Sequence, residues 1–186
     1  MHLSRDQLLD FVRPHLKQSR YEHTVRVTDT AVELAIQYGA DVQKAETASI
    51  LHDFAKHKSK EELKHWISND ERVPNDLLDY HHELWHGPAG ALMLENELEI
   101  KDPEILSAIA CHTSGKKNMS LLDKVVFLAD YIEPGRNFEG VEEVRELAKS
   151  DLDNACLQSL VNTVHFLTNN KRTVYPDTIN AYNALV

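Results

Sequence analysis

The heptapeptide Ile50-Leu51-His52-Asp53-Phe54-Ala55-Lys56 sets an imidazole beside a carboxylate inside an apolar run. Burying such a pair is costly unless charge and hydrogen bonds compensate it. A second acid, Asp130, lies between Ala129 and Tyr131 in VVFLADYIEPGR, on an otherwise apolar stretch. Three more histidines occupy comparable places: His23 in RYEHTVRV, His86 in LWHGPAGA and His112 in ACHTSG. Imidazoles and carboxylates together suit iron, manganese, zinc or cobalt. Six such groups exceed what one tetrahedral ion takes. Adjacent residues on a helix point about 100° apart, so His52 and Asp53 can grip one ion only at a helix edge or end. A carboxylate has two oxygens and can bridge two ions, which an imidazole normally cannot. The economical reading is two ions bridged by Asp53.

The chain has eleven histidines, and the others have plainer explanations. His2, His15, His57 and His65 sit among polar neighbours or near expected helix ends and read as surface residues. His165, between Val164 and Phe166, reads as a packed or capping residue. His81 and His82, in VPNDLLDYHHELWHG, read as solvated loop residues, although one of them could line a cleft.

The elements that must position the six groups are helices. Ser4 caps a first helix that Pro14 ends or kinks. A long amphipathic helix follows Ser19 and stops at Gly39, and Asp41 caps the next, which runs into His52 and Asp53. Ser59 with Glu62 forms a capping box. Pro88 opens a helix just after His86, with Gly87 allowing close backbone approach. Asp102-Pro103-Glu104 opens the helix that ends at His112. Ser120 caps the one carrying Asp130, residues 141–149 and 152–169 are helical, and a short helix follows Pro176. Alternating patterns long enough for a sheet are absent. The expectation is a single all-α domain over residues 1–186, a helical bundle with the two-ion site in its core.

Composition narrows the function classes. The 186 residues are 42% hydrophobic and 27% charged, ordinary values for one globular domain. A net charge of −10 argues against a nucleic-acid polymer or an anionic membrane as partner. A small anion remains possible where a metal or basic residues invert the local field. The N-terminus lacks an apolar signal region, and Cys111 and Cys156 show no metal-type spacing. A soluble cytoplasmic protein with idle thiols is expected.

The ordered set His23, His52-Asp53, His86, His112 and Asp130, with its flanking words, resembles the HD superfamily of metal-dependent phosphohydrolases. The likeness runs over roughly residues 15–185. It is sharpest to the bacterial branch that splits diadenosine tetraphosphate symmetrically into two ADP. The resemblance implies that His23, His52, Asp53 and Asp130 hold one ion, while Asp53, His86 and His112 hold the second. It implies iron, with manganese or another divalent ion as a substitute, and in-line attack of activated water on a β-type phosphorus. Asp53, Lys56 and Arg136 would then be catalytic. Lys56 lies one helical turn after His52, Arg136 follows the Pro134-Gly135 turn, and Arg20 precedes His23 by three positions.

Those three cations, with Thr113, are candidate substrate contacts. Lys171, Arg172 and Tyr175 in NNKRTVYPDT could hold a ribose, base or distal phosphate. His81, His82 and Glu133 are candidate general acids. An apolar helix face left over could support a homodimer. Competing readings keep the site and change the substrate to a nucleoside monophosphate, a cyclic dinucleotide or a guanosine alarmone. Others make the protein a mixed-valent di-iron oxygenase, or a nucleotide-binding module that metals merely stabilise.

Overall fold

A computed structural model describes residues 3–186, so His2 lies outside the described residues. Among these there is no strand. The ten helices are α1 (Arg5–Val12), α2 (Gln18–Tyr38), α3 (Val42–Leu51), α4 (Lys60–Ser68), α5 (His86–Glu97), α6 (Pro103–Cys111), α7 (Leu121–Ile132), α8 (Val141–Leu147), α9 (Leu152–Asn169) and α10 (Pro176–Leu185). The all-α expectation holds.

Local signals explain most of the boundaries. The Ser4 and Ser120 side chains accept from the amides of Gln7 and Asp123, and both capping boxes are completed by the reciprocal bond. The Ser59 box is only half made, because Glu62 pairs with Lys58 at 3.3 Å instead of returning to the cap. Gly39 ends α2 at φ +74°, in the left-handed region that favours glycine. Two departures matter for the site. α5 starts at His86 rather than Pro88, since proline is tolerated in a first turn whose N–H has no intrahelical acceptor. α10, expected to be short, spans ten residues.

α2 packs on α3 and α7, while α6 packs on α5, α3 and α7, so these five helices surround one interior. The buried face of α2 runs through His23, Thr24, Val27, Thr28, Ala31, Leu34 and Ala35, a helical stripe whose first turns are polar. α3 buries Ala45, Ala48, Ser49, Ile50 and Leu51, then tightens into turns with the Phe54 amide on the Leu51 carbonyl. Phe54 and Ala55 are fully buried beyond it, which locks the His52-Asp53 corner against the core.

Two histidines differ from their expected settings. His15 is half-buried, edge-on to Phe54 with ring centroids 4.7 Å apart. His165 is exposed on α9. Cys111 and Cys156 are free and buried, and burial pushes both thiols up, Cys156 to about 12. They hold no accessible thiolate.

Candidate metal centre

All six expected ligands meet in the interior. His23, His52, Asp53, His86 and His112 are each at most 5% exposed. Asp130 lies at the edge with its side chain 19% exposed. Three of the histidines occupy helix ends: His52 and His112 cap α3 and α6, and His86 begins α5. The ends of α3 and α6 leave carbonyls without helical partners, and the turn before α5 offers that of Glu83. The Nδ1 atoms use them: His52 on Ser49 O at 2.6 Å, His86 on Glu83 O at 2.7 Å and His112 on Ile109 O at 2.7 Å. His23 lies within α2, and its Nδ1 meets the Glu133 carboxylate at 3.0 Å.

These bonds determine the tautomers. A carbonyl or an anionic carboxylate only accepts, so each Nδ1 carries the hydrogen and each neutral ring keeps a bare lone pair on Nε2. All four Nε2 atoms converge. Those of His86 and His112 face each other at 3.0 Å, two acceptors with no hydrogen between them. Those of His23 and His52 are buried without a hydrogen-bond partner. Each such group costs about 1–3 kcal/mol when left unsatisfied. The carboxylates add to the demand: His23 Nε2 lies 2.9 Å from Asp130 Oδ1, and His52 Nε2 lies 3.2 Å from Asp53 Oδ2. Lone pairs and negative oxygens facing one another call for cations, and this donor set fits metal ions.

Asp53 divides the cluster. Its Oδ2 faces His52, with His23 at 3.7 Å, whereas its Oδ1 faces His86 at 3.0 Å and His112 at 3.8 Å. Two groups of atoms, His23/His52/Asp130 and His52/Asp53/His112, are compact enough to hold an ion. The electrostatics agree. Burial would raise the Asp53 carboxyl, but His52, His112 and His86 outweigh it and hold it well below the usual carboxylate range. Burial lowers His86 to about 4, which keeps that ring neutral at physiological pH. On His52 burial acts the same way, yet Asp53 and Asp130 prevail, so its Nε2 favours a positive partner, whether a proton or a metal ion.

Cations reach the cluster from its open side. Arg20 meets Asp53 Oδ2 at 3.1 Å, and Arg136 meets Asp130 Oδ1 at 2.6 Å. Lys56 pairs with Glu83 at 2.6 Å, on the residue whose carbonyl holds His86. The Thr113 hydroxyl donates to His112 Nε2 at 3.0 Å. The other three expected substrate contacts are not brought there. Lys171 and Arg172 are exposed at the end of α9, with Arg172 over the Phe166 ring. Tyr175 is buried edge-on against Tyr80. Among the described residues, no hydrogen bond, ion pair or ring contact joins them to the histidines.

The surroundings of Glu133 argue against its candidacy as a general acid. Burial would raise its carboxyl, but Arg26, His23 and the Gly135 amide outweigh that and hold it down at about 2, which favours the anion. Arg26, which meets its Oε2 at 2.6 Å, is a site residue that sequence reasoning missed. Nothing in RYEHTVRV distinguishes that arginine from a surface charge.

A helical bundle that converges four imidazoles and two carboxylates in its interior is the architecture of a metal-dependent HD protein. The model of the HD domain matches residues 20–135, and the chain belongs to that family. Its particular relatives are bacterial. It is 50% identical over 184 residues to the symmetrical bis(5'-nucleosyl)-tetraphosphatase of Bacillus subtilis, covering 99% of this chain and 98% of that one. The Staphylococcus aureus enzyme of the same name is 41% identical over 170 residues, covering 90% and 87%. A crystal structure from Clostridium acetobutylicum, described as a predicted HD superfamily hydrolase involved in NAD metabolism, superposes with a TM-score of 0.93 at 38% identity. That match covers 100% of this chain and 98% of the other.

Proposed function

We infer that this chain hydrolyses diadenosine tetraphosphate symmetrically to two ADP. The observation that carries the reading is identity of about one half, over nearly the whole length, to enzymes named for that reaction. We further propose that two ions are held by His23, His52, Asp53, His86, His112 and Asp130, with Asp53 shared. The split of its oxygens between two histidine groups supports this. Iron is the proposed metal, with manganese as substitute; imidazole and carboxylate donors accommodate either. Such a pair of ions activates water and neutralises phosphoryl oxygens.

The protein's own groups supply the rest. Four rings locked by their Nδ1 bonds present Nε2 without reorganisation. Arg20 and Arg136, partly exposed and already against the two acids, are the proposed guanidinium contacts to the tetraphosphate. Lys56 and Thr113 are proposed beside the His86 and His112 half. No helix among the described residues is long and apolar enough to cross a membrane. A cytoplasmic location is proposed, which suits two unpaired buried thiols.

The test is incubation of iron-loaded protein with diadenosine tetraphosphate, resolved by anion-exchange chromatography. ADP alone is expected; ATP with AMP would overturn the symmetric register, and no cleavage would overturn the substrate. Lys56→Ala should keep both ions and lose about ten- to a hundredfold in kcat/KM, the value of one charge-assisted hydrogen bond. Metal analysis beside the kinetics separates that result from loss of the site.

A further inference from the structure

We propose that Glu133 is a positioning residue that makes the His23, His52, Asp53 and Asp130 half of the cluster the tighter of the two ion sites. The inference rests on the two-ion reading above and concerns how the halves differ.

His23 is the histidine whose place in the fold leaves it no backbone acceptor. His52, His86 and His112 lean on carbonyls three residues back, at helix ends where those oxygens are free. Inside α2 the carbonyls accept from the following turn, so an Nδ1–H there needs an acceptor from elsewhere. Glu133, at the end of α7, brings one from 110 residues away.

That carboxylate is fixed through both oxygens. Oε1 accepts from His23 Nδ1 at 3.0 Å and from Arg26 Nη2 at 3.4 Å. Oε2 accepts from Arg26 Nε at 2.6 Å and from the Gly135 amide at 2.5 Å. The turn is shaped for this bracket, since a Cβ on Gly135 would lie 2.6 Å from the Arg26 guanidinium. Arg145 clamps the far side by donating to the carbonyls of Ile132, Glu133 and Arg136.

An imidazole backed by a carboxylate is a better-oriented and more basic ligand than one backed by a carbonyl. The His23 half has that ring together with two acids, Asp53 and Asp130. The other half has two carbonyl-backed rings and a share of Asp53. The halves therefore fill in sequence, the His23 half first.

The test is titration of metal-free protein with cobalt(II), followed by visible absorption and by calorimetry. Wild type should bind two ions in resolved steps; a single ion would overturn the two-ion reading itself. Glu133→Gln should weaken the tighter step about 10–100-fold and leave the weaker one unchanged. Two steps at wild-type affinity, or weakening of the looser step alone, would overturn the role given to Glu133. Arg26→Met leaves the carboxylate but frees it to turn, and covers the case in which Glu133→Gln folds poorly. It should weaken the same tight step, and an unchanged tight step in folded Arg26→Met would overturn the proposal as well.

Discussion

Asp53→Asn should strip the protein of at least one ion, and Asp53→Ala of both, with turnover of diadenosine tetraphosphate falling about a thousandfold or more. Ions at such sites supply several kcal/mol of transition-state stabilisation, and each ~1.4 kcal/mol is a factor of ten. The size follows from position. Asp53 Oδ2 lies 3.2 Å from His52 Nε2 while Oδ1 lies 3.0 Å from His86 Nε2, so one side chain serves both halves. Asparagine keeps the shape but has a single acceptor oxygen and no charge, and alanine has neither. Of the four histidines, Asp130 is paired with His23 and His52, at 2.9 and 3.9 Å, so Asp130→Ala should release one ion and spare the other. Elemental analysis of the purified variants, beside ADP release, checks the set. Two full equivalents in Asp53→Ala would remove the shared-carboxylate assignment.

Much of the candidate site was legible in the chain because most of the candidate ligands break a local pattern. A histidine and an acid in ILHDFAK, or an acid in VVFLAD, contradict the apolar face they share, and such contradictions mark functional positions. The caps at Ser4, Asp41, Ser120 and Gly39 were legible for the opposite reason: they are complete within four or five residues.

What sequence could not give is contact between distant side chains. Glu133 stands in the same word as Asp130, yet its link to His23 crosses 110 residues, and an acid before Pro-Gly reads equally as an exposed cap. Lys171 and Arg172 carry the same ambiguity in reverse. Charge in a loop of an acidic protein suggests a ligand, and the chain alone does not show that Arg172 lies over the exposed Phe166 ring.

Gly87→Ala should damage stability and one half of the cluster together. A Cβ at Gly87 would stand 2.8 Å from the Ala110 carbonyl oxygen and 3.1 Å from that of Ile109. Both are backbone atoms of α6, so no side chain can swing away and the helices themselves must part. Overpacking of this kind costs about 1–3 kcal/mol, and each kcal/mol lowers the melting temperature by about 2–4 °C in a chain of this size. Function is hit harder, because the same crossing sets the site. Gly87 adjoins His86, and Ile109 O holds His112 Nδ1, so parting α5 from α6 opens the 3.0 Å approach of the two Nε2 atoms. A displacement of about 1 Å at such a centre can cost about a hundredfold in rate. Gly90→Ala is the control: its Cβ would meet the Ala55 methyl at 3.3 Å, a contact that a few tenths of an ångström relieve, and the Ala55 amide nitrogen at an ordinary 3.8 Å. Melting of both variants without metal, with cobalt(II) stoichiometry alongside, checks the argument. Gly87→Ala melting with wild type and binding two ions would mean that the α5–α6 crossing does not govern how His86 meets His112.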